Sequence, residues 1–257
     1  MLRVDDTAPQ RAHANFVDSF VILGERALGG AVIDLGGATA VRTGVPSPEF
    51  NRVFLLEAAD EPAAVLAEAE AAFGGLPWSL VTLRGPQPGL PGAIRDAGLQ
   101  FGRSLPAMLI GLPRRPERAL DGFAVHAVTT QAEADLSVDI LAEAFATDRA
   151  FFAVYGEEAV WRAPQTTTLL GWLEGVPVAT IAVVVTRGVA GLANLGVLPA
   201  ARGHGCGEAM SRAAMEAGLR AGADIASLQA TRAGFALYKR MGFRHLADYQ
   251  IWHHPRD

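Results

Sequence analysis

The stretch Leu195 to Met210, LGVLPAARGHGCGEAM, constrains the fold more than any other part of the chain. An apolar run ends at Leu198, glycines follow at 203, 205 and 207, and a helical pattern rich in alanine extends from His204 to Ala221. A strand that turns through glycines into a helix exposes backbone N–H groups at the positive end of the helix dipole, which suits an anion. Glycine admits backbone angles closed to other residues and lets a phosphate approach the main chain without a Cβ in the way. Arg202 adds a cation at the mouth of the loop. The same glycines also suit a turn that only packs a helix tightly on a sheet, so the surrounding pattern has to decide.

Two phosphate loops are excluded by their residues. A Walker loop ends in Gly-Lys-Ser/Thr, whereas Gly207 is followed by Glu208 and Ala209. A dinucleotide fingerprint needs its third glycine at position 208, which is glutamate, and further parallel units beyond it. The 50 residues after Gly207 are too few to build that domain.

The pattern around the loop is mixed α/β. FAVHAV (Phe123 to Val128) reads as a strand, and TQAEADLSVDILAEAFA as a helix with Leu136, Ile140, Leu141 and Phe145 at helical spacing. QTTTLLGWL, VPVATIAVVVT and VAGLANLGVL are aliphatic and β-branched runs separated by the turn signals EG and RG, which predicts an antiparallel meander. After the glycine loop and its helix, DIASLQAT is a strand, AGFALYKRM a short helix closed by Gly242, and FRHLADYQIW a final strand. The order is not the strict alternation of a doubly wound fold.

The first half repeats the end of this order. RVFLLEA is a strand, PAAVLAEAEAAF a helix, WSLVTL a strand, LPGAIRDAGL a short helix and SLPAMLIGL a strand. Gly98 falls at the place of Gly242, Leu99 at Phe243 and Ile94 at Tyr238, so the chain reads as a tandem duplication. The Pro, Arg and Gly content of LPRRPERALDG, Leu112 to Gly122, marks an exposed connection, with domains expected at residues 1–115 and 116–257.

Composition narrows the partners. Half of the residues are hydrophobic and 19% are charged, enough apolar material for packed cores. A net charge of -5 and a pI near 5.7 argue against nucleic acid, which needs a clustered basic surface. Cys206 is the single cysteine, so an internal disulfide framework and a multi-cysteine metal site are excluded and a reducing cytoplasm is expected. The start of the chain has no secretory pattern, and the run Ala179 to Val185 is far shorter than the roughly 20 residues of a membrane helix, so no membrane partner is expected.

NLGVLPAARGHGCGEAM, followed downstream by LQATRAGFALYKRMGF, resembles the GCN5-related N-acetyltransferase (GNAT) superfamily, whose motif is V-x-P-x-x-R-G-x-G-x-G/A with a helical LY and then GF after it. The resemblance covers the order of elements from Phe123 to His254. It implies a mostly antiparallel central sheet flanked by helices, two GNAT-like domains in tandem, and acetyl-CoA as cosubstrate with no metal. It further implies that the backbone of Leu195, Gly196, Val197 and Leu198 pairs with the pantetheine arm. Arg202 and the amides of Gly203, His204, Gly205, Cys206 and Gly207 would hold the pyrophosphate. His204 and Cys206 fill variable places of the motif, so their side chains are expected to be incidental, although a cysteine at a helix N-terminus is open to a lowered pKa.

For the chemistry, the resemblance places Tyr238 as proton donor to the departing thiolate, and a main-chain N–H near Val197 as the group that polarises the carbonyl. Asn194 is a candidate for orienting a water or the amine. GLANLGVL contains no acidic residue where many relatives place a glutamate. Asp148, Glu157 and Glu158 are weaker candidates for a base. The first half reads LEAADEPAAV where its loop should be, with Glu57, Asp60 and Glu61 and no glycine, so it is expected not to bind acyl-CoA in the usual way but to brace the active half or wall the acceptor cleft. The implied activity is acetyl transfer to a primary amine of a small molecule or a protein. A non-catalytic acyl-CoA sensor or scaffold and a longer acyl donor are the alternatives.

Overall fold

A computed structural model describes residues 7–85, 87–112 and 120–255. The expected boundary between residues 115 and 116, and most of the connection around it, lie outside the described residues. The chain forms two compact units. Unit 1 comprises Met1–Ser19 and Met108–His245, and unit 2 comprises Phe20–Ala107 and Leu246–Asp257. Both are mixed α/β, built on mostly antiparallel sheet flanked by helices.

In unit 1 the strands β6 (Phe123–Ala127), β7 (Thr166–Leu173), β8 (Val176–Thr186) and β9 (Val189–Val197) form the antiparallel meander that the sequence predicts. β10 (Ile225–Gln229) adds to β9 in parallel, and the end of β5 (Gln100–Gly111) follows β10. Helix α4 (Gln131–Phe145) starts at a capping box in which the Thr130 hydroxyl accepts from the Glu133 N–H and the Glu133 carboxylate accepts from the Thr130 N–H. Short helices α5 (Arg149–Phe152) and α6 (Glu158–Trp161) follow it. Helix α7 (Cys206–Arg220) lays Cys206, Met210, Ser211, Ala214, Met215 and Gly218 on the core, a stripe at helical spacing. Ile181, Val183, Ala190, Ala226 and Leu228 meet it from the sheet.

In unit 2, β1 (Ala31–Asp34), β2 (Thr39–Arg42) and β3 (Arg52–Leu55) form an antiparallel meander. β3 pairs in parallel with β4 (Ser79–Leu83), and β11 (Arg244–His253) pairs antiparallel with β4 and precedes the start of β5 in the sheet. Helix α2 (Pro62–Phe73) occupies the place of α7, and α3 (Leu90–Asp96) that of α8 (Phe235–Arg240). The tandem relation is visible in the hydrogen bonds. Gly98 N–H donates to Arg95 O (3.0 Å) and Leu99 N–H to Ile94 O (3.0 Å), while Gly242 N–H donates to Lys239 O (3.1 Å) and Phe243 N–H to Tyr238 O (3.0 Å). These are the two bonds of a Schellman ending, made by the three residue pairs that the sequence aligns together with Arg95 and Lys239.

Helix α1, strands β1 and β2 and the short helices α5 and α6 escape the sequence reading. Helix α1 (Ala8–Arg26) buries Ala8, Ala12, Asn15, Phe16 and Leu23 on one face. Only Ala, Asn and Phe mark its first half, too weak a stripe to announce a helix. β1 and β2 have four residues each, short for a periodicity argument. The helix expected from His204 begins instead at Cys206, because Gly203 (φ 80°) and Gly205 (φ 83°) are left-handed and keep the loop open for two more residues.

Candidate functional site

The site begins with a fault in β9. Thr180 pairs with Gly196 and Ala182 with Ala193, so two residues of β9, Asn194 and Leu195, stand opposite Ile181 alone. This is a β-bulge, and Asn194 takes φ 55° within it. Asparagine is among the few residues with a side chain that adopt the left-handed region readily. The consequence lies on the other edge. The parallel register of β9 with β10 ends at Leu192 opposite Leu228, while β9 runs on to Val197. Gly196 and Val197 keep their β8 partners, Thr180 and Ala179. Beyond the bulge the strand is therefore held by β8 on one side and has no β10 residue registered against it on the other.

From Val197 the chain passes a single 3-10 turn, Pro199–Ala201, and reaches the glycines. Gly205 is the N-cap residue of α7 and supplies no side-chain hydrogen bond to the first turn. A Cβ at Gly203 would meet nothing within 4 Å among the described residues, so this part of the loop is open on their side. Backbone N–H groups of a helix start, a positive dipole end and unfilled space together make an anion cradle. His204 is exposed. Cys206 is 1% exposed, and burial pushes its thiol up, with a backbone hydrogen bond opposing weakly. Burial is the larger of the two causes.

Arg202 lies at the mouth, but its guanidinium is engaged by protein. Nε donates to Val197 O (3.1 Å) and Nη2 to Ala144 O (2.6 Å). Ala144 is in the last turn of α4, where carbonyls lack helical partners, so Arg202 ties the end of α4 to the end of β9. Leu141 and Ala144 sit close over Gly196, where an added Cβ would lie 3.2 and 3.3 Å from them.

Tyr238 comes from α8 and is 7% exposed. Burial raises its phenol to about 12, against a hydrogen bond with Ser211 that works in the other direction. Ser211 is fully buried one turn into α7, and its hydroxyl donates to Gly207 O (2.8 Å). Gly207 has Leu237, Leu195 and Val197 as neighbours at 3.6–3.8 Å from a notional Cβ. The open strand, the first turn of α7 and the tyrosine helix thus meet at one place. Ser211 is the member that the sequence reading missed, and only its position one turn beyond Gly207 hints at it. Of the acidic candidates, Asp148 caps α5 by accepting from Ala150 N–H (2.7 Å), Glu158 pairs with Arg162 (2.9 Å) at the surface, and Glu157 is the N-cap residue of α6.

Unit 2 offers a contrast. β3 pairs with β4 through its last residue, Leu55 opposite Thr82. The loop to α2 carries the exposed Glu57, Asp60 and Glu61, and Glu61 at the N-cap makes no side-chain capping bond.

Residues 164–245 match the family model of the acetyltransferase (GNAT) domain. No curated protein matches the chain significantly. Among solved structures, a GCN5-related N-acetyltransferase from Kribbella flavida is similar with a TM-score of 0.69 at 21% identity, over 96% of this chain and 95% of that one. One from Sphaerobacter thermophilus gives 0.61 at 16% identity, over 84% and 76%. A tandem GNAT protein from the clavulanic acid biosynthesis pathway, in a structure without AcCoA, gives 0.54 at 15% identity, over 100% and 98%. Residues 164–245 thus match an acetyltransferase (GNAT) domain, and over nearly its whole length the chain has the fold of these GNAT structures.

Proposed function

We propose that the protein is an acetyl-CoA-dependent N-acetyltransferase that acts on a primary amine of a small molecule or a protein by direct attack on the thioester. Residues 116–257 are the acyl-CoA-binding catalytic domain, and residues 1–115 a degenerate GNAT-like domain without a pyrophosphate loop. The observation that carries this reading is the parted edge of β9, running from the Asn194 bulge to Val197 and leading to the left-handed glycines at the start of α7.

These residues fit the cosubstrate. A strand edge without its neighbour offers N–H and C=O groups to an extended chain bearing amides, which is what a pantetheine arm is. The main chain of Leu195, Gly196, Val197 and Leu198 takes that part, and the amides of Gly203, His204, Gly205, Cys206 and Gly207 take the pyrophosphate. Arg202 holds the two segments in place and keeps a positive charge beside them. When bound, acetyl-CoA supplies an activated thioester.

The Val197 N–H polarises the carbonyl as charge develops on its oxygen. Asn194 orients the amine or a water. Tyr238 donates toward the departing sulfur, and its raised pKa keeps it protonated at any physiological pH. Full transfer from so weak an acid to a departing thiolate is uphill. The phenol therefore acts first as a hydrogen-bond donor.

The absence of a carboxylate on β9 favours a second reading, a non-catalytic acyl-CoA sensor. CoA release measured with a panel of amines separates the two. Turnover with any amine supports the enzyme, including with a longer acyl donor. Tight acyl-CoA binding without release across the panel supports the sensor, and no acyl-CoA binding at all rejects both.

A further inference from the structure

In unit 1 the last turn of α4 and the end of β9 are held against each other by two separate contacts. The first is the guanidinium of Arg202. Helix α4 ends through Ala146 (φ 51°), whose N–H donates to Glu143 O (3.1 Å), while Thr147 N–H donates to Ala142 O (3.0 Å). That ending satisfies the carbonyls of Ala142 and Glu143 and leaves those nearer the helix end to find donors elsewhere. Arg202, 58 residues further on, donates from Nη2 to Ala144 O (2.6 Å). Its Nε donates to Val197 O (3.1 Å), so one planar group serves carbonyls on two elements.

The second contact is steric. An added Cβ at Gly196 would lie 3.2 Å from Leu141 Cδ2 and 3.3 Å from Ala144 Cβ. The backbone of Gly196 is outside the left-handed region, so what glycine provides there is room for α4.

Both contacts bear on Val197. Leu198 N–H donates to Val178 O (2.8 Å), toward β8. Neighbouring residues of a strand turn their hydrogen-bonding groups to opposite edges, so Val197 turns its N–H and C=O to the edge where no β10 residue is registered. Arg202 takes that C=O, and with β8 holding the other edge the direction of the Val197 N–H is fixed as well.

We infer that Arg202 and Gly196 form a clasp that positions the Val197 N–H for acetyl transfer, so that Arg202 acts on the transfer step as well as beside the pyrophosphate. This role presupposes the proposed acetyltransferase activity. In that step the amine nitrogen bonds the acetyl carbon, the C–S bond breaks, and the amine loses a proton as the sulfur gains one. A donor aimed at the carbonyl oxygen works only at close range and in line, so a small displacement lowers kcat more than affinity.

The test uses the full-length protein and compares acetyl-CoA with S-acetylpantetheine, which carries the thioester and the arm but no pyrophosphate. Arg202→Lys keeps the charge and loses the planar fork. It is expected to lower kcat by up to about a hundredfold with both donors and to leave KM for acetyl-CoA nearly unchanged. Gly196→Ala, which leaves Arg202 in place, is expected to lower kcat in the same way by pressing α4 outward, and Ala144→Gly added to it makes room for the methyl group and restores most of the rate. On the unaltered protein, an Arg202 Nε–H resonance slow to exchange with water reports the bridge to Val197 without any variant. A loss confined to acetyl-CoA, a change in KM alone, full kcat in either single variant, or an Nε–H that exchanges as fast as a free guanidinium overturns the inference. No turnover by the unaltered protein with any amine overturns the acetyltransferase reading and this inference with it, whereas turnover that the variants leave unchanged overturns this inference alone.

Discussion

Asn194 illustrates how one residue answers two demands. In the sequence it is the polar group of GLANLGVL and a candidate for orienting the amine. In the structure it also supplies the left-handed backbone of the bulge. Substitution separates these roles. Asn194→Gly keeps the backbone conformation and should leave stability nearly intact while lowering kcat, whereas Asn194→Val should cost about 1–2 kcal/mol in denaturant titration. An Asn194→Gly enzyme with full kcat would remove the side chain from the mechanism. For Tyr238, replacement by Phe should lower kcat about a hundredfold with little change in acyl-CoA affinity. The same substitution changes the alkaline limb of stability. Burial raises the folded pKa of Tyr238 to about 12 from 10, so the stabilisation is fully present below about pH 10 and is lost as pH rises toward 12. Tyr238→Phe should therefore shift alkaline unfolding, followed by circular dichroism, to higher pH. Tyr249, also raised by burial, remains to drive the rest.

Among the elements, α7 and its loop set the tightest conditions. At Gly205 (φ 83°) alanine is strained by about 1–2 kcal/mol and would displace the start of the helix. At Gly207 an alanine Cβ finds ordinary contacts at 3.6–3.8 Å. Gly205→Ala is thus expected to weaken acyl-CoA binding and Gly207→Ala to leave it nearly unchanged, measured by calorimetry. Helix α1 owes its place to tertiary bonds. Asn15, 1% exposed, donates through Nδ2 to Val184 O (3.1 Å), Thr186 Oγ1 (2.9 Å) and Val189 O (3.3 Å), and Arg11 and Asp18 pair with Asp224 and Arg187. Asn15→Ala should lower unfolding free energy by about 1–3 kcal/mol. The strands β7, β8 and β9, the glycine-loop helix and α2 were legible because each is long, eight residues or more. Helix α1 was not, since its buried polar face gains meaning only from the β8–β9 turn that it meets.

At the scale of the whole molecule, each unit draws on distant parts of the chain. Unit 1 takes Met1–Ser19 and the end of β5, whose Met108 and Ile110 belong to its core, while the last strand from Leu246 belongs to unit 2. A fragment of residues 116–257 therefore lacks core residues of unit 1 and should fail to unfold cooperatively on heating. Acyl-CoA stoichiometry should be one per chain, because β3 is paired through Leu55 and the loop after it is acidic. Two per chain by calorimetry would refute this assignment. By itself the sequence determined the mixed α/β class, the tandem order and the place of the anion cradle, because strand period, helix period and glycine position are local properties. It also determined the position of Tyr238 relative to the loop, through the spacing of a motif. Only the tertiary structure decided that β9 runs on past its β10 partner beyond a bulge, that Arg202 bridges two carbonyls, that Ser211 meets the tyrosine, and that Cys206 is buried. Each of these depends on which groups from separate segments meet and on how much water is excluded where they do.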